Sequence, residues 1–131
     1  MTKAKPASIA ALVLALTPAT ALACDAGGEA CPIPVHMKTG TDTITLVNRL
    51  QPNTDCCYYS LEASAGQTLT WAYHGPGGMR SVIDYPDGSA DGPGIPNSIP
   101  LKTTGTYVLG IVPDLMADDS TGPFRLTVTI K

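Results

Sequence analysis

A chain of 131 residues with 13 Gly, 12 Pro and 15% charged residues has the length of one ordinary domain, which excludes a multidomain enzyme, a helical repeat array and a long coiled coil. The hydrophobic share of 44% excludes a disordered tail, and eight basic against eleven acidic residues, a formal −3, exclude a basic nucleic-acid binder. Met1–Ala23 reads as a secretory leader: Lys3 and Lys5 form a basic start, Ile9–Leu16 is an apolar run, and Ala21-Leu22-Ala23 is a small-residue processing site. That run is far short of the ~20 apolar residues a spanning helix needs. Cleavage after Ala23 removes two basic residues and no acidic ones, so six basic face eleven acidic residues, a formal −5. Such a surface favours solubility and encounter with cationic partners.

Cys24, Cys31, Cys56 and Cys57 all lie beyond the expected cleavage point. An even count in an exported chain predicts two disulfides. Cys24 as first mature residue raises a lipoprotein alternative, but Ala21 stands where such leaders usually carry Leu, and lipidation would orphan one of the other thiols. A bond between Cys56 and Cys57 would close a tight ring across one peptide, and adjacent strand residues point to opposite faces. The expectation is therefore two bridges from the Cys24–Cys31 segment to the Cys56-Cys57 pair. The spacing contains no C-x-x-C and no cysteine beside His36 or His74, so structural bridging outweighs redox or metal chemistry.

Residues 24–41 carry Gly27-Gly28, Cys31-Pro32 and Pro34, the composition of an irregular arm held by disulfides rather than by an apolar face. From Asp42 the pattern turns to short β runs punctuated by turn residues. Predicted strands are Thr43–Val47, Tyr58–Ala63, Thr68–Tyr73 with Leu69, Trp71 and Tyr73 on one face, and Ser81–Tyr85 closed by Pro86-Asp87-Gly88. After a Gly/Pro/Asp loop come a brief edge piece at Ser98–Leu101, limited by Pro100, and then Thr106–Val112. Pro113–Pro123 is a second long loop. Phe124–Ile130 closes the chain with Phe124, Leu126, Val128 and Ile130 alternating against Arg125, Thr127 and Thr129. Roughly seven strands near ten residues apart, with no amphipathic helix among them, predict an all-β sandwich over 42–131.

The run from Tyr59 through Ala65-Gly66-Gln67 to Thr70 resembles the strand, Ala-Gly-Gln turn and strand of bacterial pre-peptidase C-terminal (PPC-like) domains. Val82–Gly88, Thr104–Leu109 and Phe124–Ile130 continue the likeness in order. The resemblance implies a jelly-roll-like antiparallel sandwich of seven to eight strands that binds rather than catalyses. A leader followed by a single sandwich is also similar in layout to the stand-alone periplasmic inhibitors of goose-type and invertebrate-type lysozymes. Their Ser-Gly-x-Tyr loop enters the lysozyme cleft, and Thr104-Gly105-Thr106-Tyr107 is similar to it, with Thr in place of Ser. That likeness implies a lysozyme as protein partner, Thr104, Gly105 and Tyr107 as contact residues, and a periplasmic or secreted location. The alternative is an accessory module that grips a polysaccharide or peptide.

Catalysis fails on inventory. A Ser-His-Asp hydrolase needs a histidine oriented by a carboxylate beside an activated hydroxyl, yet His36 lies in the arm and His74 in a Gly/Pro turn. Gly88-Ser89-Ala90-Asp91-Gly92 lacks nucleophile-elbow spacing. Aspartates crowd the loops, but at Pro-Asp-Gly and Asp-Gly positions where Asp serves local turns. Calcium is the one metal to weigh, on Asp84, Asp87 and Asp91 or on Asp114, Asp118 and Asp119; ordered ligand spacing is missing, and no cofactor is expected. Gly75-Pro76-Gly77-Gly78-Met79-Arg80 has no following helix and no Lys-Ser/Thr, so it is a hairpin tip rather than a phosphate cradle. Trp71 is expected in the core, not on a sugar-stacking platform. Tyr107 has two readings: a strand residue joining Leu109 and Ile111 inside, or a polar-tipped wedge projecting with Thr104.

Overall fold

Period-two alternation seats the closing strand at the middle of a sheet. The computed structural model describes residues 27–51, 56–113 and 121–131. Its strands are β1 (Ile33–Pro34), β2 (Thr43–Leu50), β3 (Tyr58–Ala63), β4 (Thr68–His74), β5 (Met79–Asp84), β6 (Ala90–Asp91), β7 (Ser98–Pro100), β8 (Gly105–Pro113) and β9 (Gly122–Ile130). β9 pairs antiparallel with β2 on one side and β4 on the other, and buries Phe124, Leu126, Val128 and Ile130 while Arg125 faces water. Leu69 and Trp71 of β4 join the same inner face.

The two sheets run β2-β9-β4-β7 and β1-β3-β8-β5-β6. Without β1 this is the strand order of an eight-stranded jelly roll, each sheet interleaving early and late strands. Tyr59 and Leu61 of β3, Ile83 of β5 and Tyr107, Leu109 and Ile111 of β8 supply the other half of the core. Burying each large side chain contributes about 1.5–3 kcal/mol, and non-local pairing holds the layers in register. Asn48 reaches inward from β2 and donates to the Tyr59 hydroxyl at 3.2 Å. Burial pushes the Tyr59 phenol above its ordinary value, an effect the Asn48 bond opposes.

The expected all-β sandwich is present, with two additions. The arm is fastened to the sandwich by strand pairing and an apolar contact, not by a disulfide to Cys56 or Cys57 as expected: β1 pairs in parallel with β3, the Val35 amide donates to Ser60, and Val35 enters the core. β6 is a two-residue strand within the predicted Asp-rich loop, paired to the end of β5. The leader, its cleavage point, Cys24 and Asp114, Asp118 and Asp119 lie outside the described residues.

The cysteine connectivity differs from expectation. Cys56 and Cys57 are bonded to each other across a cis peptide, rather than to the N-terminal segment. They precede β3 instead of lying in it, so the alternation that would separate their side chains does not apply. Cys31 is also disulfide-bonded. Non-reducing tryptic mapping is expected to yield a Leu50–Arg80 peptide short of two hydrogens and unlinked to any other peptide; a cross-linked peptide would contradict this pairing.

Candidate functional site: the β5–β6 and β7–β8 end of the sandwich

The Ala65-Gly66-Gln67 turn and the β7–β8 connection are tied together. The Leu101 amide donates to Gln67, and the Gly66 amide donates to Leu101, both at 2.8 Å. Leu101 is buried, so the chain dips into the core immediately before Lys102, Thr103 and Thr104 surface. The Thr104 hydroxyl oxygen accepts from the Ala65 amide at 2.9 Å. Thr106 donates to Glu62 across the β3–β8 pair. Gly105 is required by close approach: a Cβ there would stand 2.8 Å from Cβ of Pro86.

Tyr107 takes the first of its two readings. It is 1% exposed, shares the inner face with Leu109 and Ile111, and its hydroxyl donates to the Thr103 carbonyl at 2.5 Å. The expected wedge is therefore not what this side chain forms, because period two turns it inward at the first opportunity. Of the three anticipated contact residues, Thr104 is exposed, Gly105 sits against Pro86, and Tyr107 braces the turn from beneath.

Beside this turn the β5–β6 hairpin closes on itself. The Tyr85 amide donates to Ser89 and the Gly88 amide to Tyr85. Asp87 accepts from both the amide and the hydroxyl of Ser89, at 2.9 and 2.6 Å, which is the local bonding that favours Asp in turns. These bonds hold the Asp87 carboxyl below its ordinary value. A glycosidase general acid needs the opposite shift. Tyr85 packs edge-on against Tyr107, ring centroids 6.0 Å apart, and its hydroxyl donates to Oδ2 of Asp91 at 2.6 Å.

A cavity of about 390 Å³ lies between the hairpin and the β7–β8 turn. Its walls include Tyr85, Asp87, Asp91, Ile99, Lys102 and Tyr107. The sequence does not assemble this set: it presents Asp91 as a calcium candidate and as part of the Gly88–Gly92 run without elbow spacing, and Tyr85 as a strand end. The cross-strand register explains why. Asp91 lies opposite inward-facing Ile83 while Asp84 lies opposite Ala90, so Asp84 and Asp91 occupy different faces. Among the described residues no three His, Cys, Asp or Glu side chains gather as metal ligands. His36, in the connection after β1, and His74, at the end of β4, are both exposed.

The hydrogen bond to Asp91, with burial next, pushes the Tyr85 phenol up to about 12. A phenol whose folded value exceeds its ordinary 10 keeps its stabilisation below pH 10 and loses it as pH rises through about 12. Denaturant midpoints are therefore expected to fall more steeply over pH 10–12 in wild type than in Tyr85→Phe. Equal slopes would refute the coupling.

No protein-family model matches the sequence, and no curated protein matches it. Solved structures do. The periplasmic inhibitor of g-type lysozyme PliG from Aeromonas hydrophila superposes with a TM-score of 0.66 at 22% identity, covering 76% of this chain and 96% of that one. PliG from Salmonella Typhimurium gives 0.58 at 16%, covering 76% and 97%. A mutant of the Escherichia coli PliG gives 0.57 at 17%, again covering 76% and 97%. At these identities the likeness establishes a shared fold that spans almost the whole of each neighbour.

Proposed function

We propose that this chain is an exported, non-catalytic inhibitor of lysozyme, g-type in the first instance, that acts in the periplasm by inserting the β7–β8 turn into the enzyme's cleft. The observation that carries the reading is the fold match across 96–97% of three neighbours, each a periplasmic inhibitor of g-type lysozyme. The braced turn supports it. Thr104 accepts from Ala65 and so keeps its own hydroxyl hydrogen for an outside acceptor, and Thr103 presents a second hydroxyl. Hydroxyl donors meeting a carboxylate form charge-assisted bonds, which suits an acidic catalytic cleft. Tyr107 contributes by fixing the Thr103 carbonyl rather than by contact. Its internal bond means the turn is ordered before binding, which lowers the entropic cost of docking.

The test is inhibition of cell-wall lysis by g-, i- and c-type lysozymes, with binding measured by calorimetry. Inhibition of the g-type enzyme is expected, and Thr103→Val with Thr104→Val is expected to weaken it at least tenfold, about 1.4 kcal/mol. Absence of binding to all three classes would end the reading. Retention on insoluble glycan in that case would turn the assignment to an accessory polysaccharide-binding module.

A further inference from the structure

We infer that the outer face of the β2-β9-β4-β7 sheet is a second binding surface, which takes the carboxylate-bearing glycan of the cell wall. The choice of that glycan rests on the proposed periplasmic reading, but the chemistry is the face's own. None of the chain's eleven acidic residues falls within these four strands, although the whole sequence carries a formal −3. The strands hold two arginines instead, Arg49 and Arg125, and both are exposed. The other sheet carries Glu62, Asp84 and Asp91. Charge is thus sorted between the two sheets, and an anion approaching this one meets cations alone.

The register places the cations. Val47, Arg125 and His74 stand side by side across β2, β9 and β4. With Pro123 and Phe124 they line a hollow of about 300 Å³. Among the described residues neither Arg125 nor His74 has a side-chain hydrogen bond or ion pair. Val47, 74% exposed, is the one large apolar side chain among them left in water. A guanidinium fork and an imidazole beside apolar surface suit a carboxylate carried on a short apolar stem. From the hollow the face continues as two rows of hydroxyls: Thr45 and Thr127 beside Ala72, then Thr43, Thr129, Thr70 and Ser98. The basic row and the far hydroxyls are roughly 13 Å apart at ~3.3 Å per residue, a span of more than one sugar ring. Thr43 and Thr129 bond each other at 3.1 Å and Thr70 and Ser98 at 3.3 Å, and each hydroxyl keeps capacity for a ligand. Threonine suits any solvent-facing strand, so the hydroxyls alone specify no ligand. Joined to a cationic hollow free of carboxylates, they fit a polymer that carries both hydroxyls and acids. A bilayer fits worse, since one exposed valine is too little apolar surface to enter it. β4 starts beside β7 at Thr68 and ends at His74, so the hollow lies away from the β7–β8 turn and both surfaces can be occupied together.

Co-sedimentation with purified peptidoglycan sacculi tests it, with melting temperature and calorimetric affinity for g-type lysozyme measured alongside. Wild type is expected to be retained. Arg125→Gln is expected to weaken retention at least about tenfold, the loss of one charge-assisted contact, and to leave melting and lysozyme affinity unchanged. Amidating the sacculus carboxyls is expected to reproduce that loss with the wild-type protein. Thr45→Val with Thr127→Val keeps the β-branched shape and is expected to weaken retention severalfold. Retention indifferent to Arg125→Gln, to amidation or to the paired threonine change would overturn the glycan face. Binding to phosphatidylglycerol vesicles without retention on sacculi would overturn it too. Lysozyme binding without retention on sacculi would overturn the face and leave the inhibitor reading intact. Retention with the expected dependence but no lysozyme binding would overturn the inhibitor reading and leave the face. Neither response would overturn both.

Discussion

Replacing Tyr107 by alanine is expected to cost about 3–5 kcal/mol of folding stability, the range for truncating a buried aromatic. The ring is almost fully enclosed, packs edge-on against Tyr85, and lies opposite Leu61 in the β3–β8 register. A domain of this size has only about 5–15 kcal/mol in total, so the variant is expected to melt far below wild type. Tyr107→Phe separates two roles. It keeps the packing and removes only the hydroxyl bond to the Thr103 carbonyl, at a cost of about 1 kcal/mol. On the proposed reading it loosens the turn, so inhibition falls more than stability does. Thermal denaturation of both variants, alongside lysozyme titrations, provides the check. A Tyr107→Ala protein that melts like wild type would show that the side chain is not part of the core.

The elements most legible in the sequence are those whose burial is one-sided. In Phe124–Ile130 and Thr68–Tyr73 every second residue turns inward, so period two alone places them. β1 was not legible, because Ile33-Pro34 is two residues long and Pro34 discourages a strand assignment; only pairing with β3 makes it one. β6 escaped for the same reason, since Ala90-Asp91 has no apolar pattern and owes its place to the register of β5. The cysteine pair misled because alternation was applied to residues that stand just outside a strand. Turn chemistry was readable at Asp87, where Pro-Asp-Gly-Ser predicts the bonds that form. The cavity was not, since its walls come from two connections more than ten residues apart that only the jelly-roll crossing brings together.

That crossing also decides what the functional end can be. The inner-face positions of β8 are filled with Tyr107, Leu109 and Ile111, so the sandwich interior offers a ligand no room. On the proposed reading recognition falls to the loops at the end, where Thr103, Thr104, Lys102 and Asp91 are exposed on a frame fixed by Leu101 and Tyr107. A rigid scaffold with polar loop tips is the arrangement binding proteins use when the core is needed for stability.

The second large effect concerns a residue with no side chain. Gly110 lies mid-strand in β8, opposite Tyr58 on one side and Val82 on the other. On this face, away from the inter-sheet core, the Tyr58 ring lies over the glycine: a Cβ at 110 would stand 2.5 Å from Cε2 and 2.7 Å from Cδ2 of Tyr58, and 2.7 Å from Cγ2 of Val82. Tyr58 has little freedom to retreat, since it is largely buried and its amide donates to Gly27 in the arm. Gly110→Ala is therefore expected to destabilise by about 2–3 kcal/mol, the upper part of the range for overpacking, despite the smaller backbone entropy it leaves to the unfolded chain. The melting temperature is expected to fall by roughly 10 °C. In a Tyr58→Ala background the same substitution is expected to lose most of its penalty, because neighbours that share one space do not act additively. A strand free of that contact would respond the other way, gaining about 0.4–1 kcal/mol from alanine. A melting temperature for Gly110→Ala at or above that of wild type would thus show that the Tyr58 ring does not rest on β8, and that the arm is not anchored there through it.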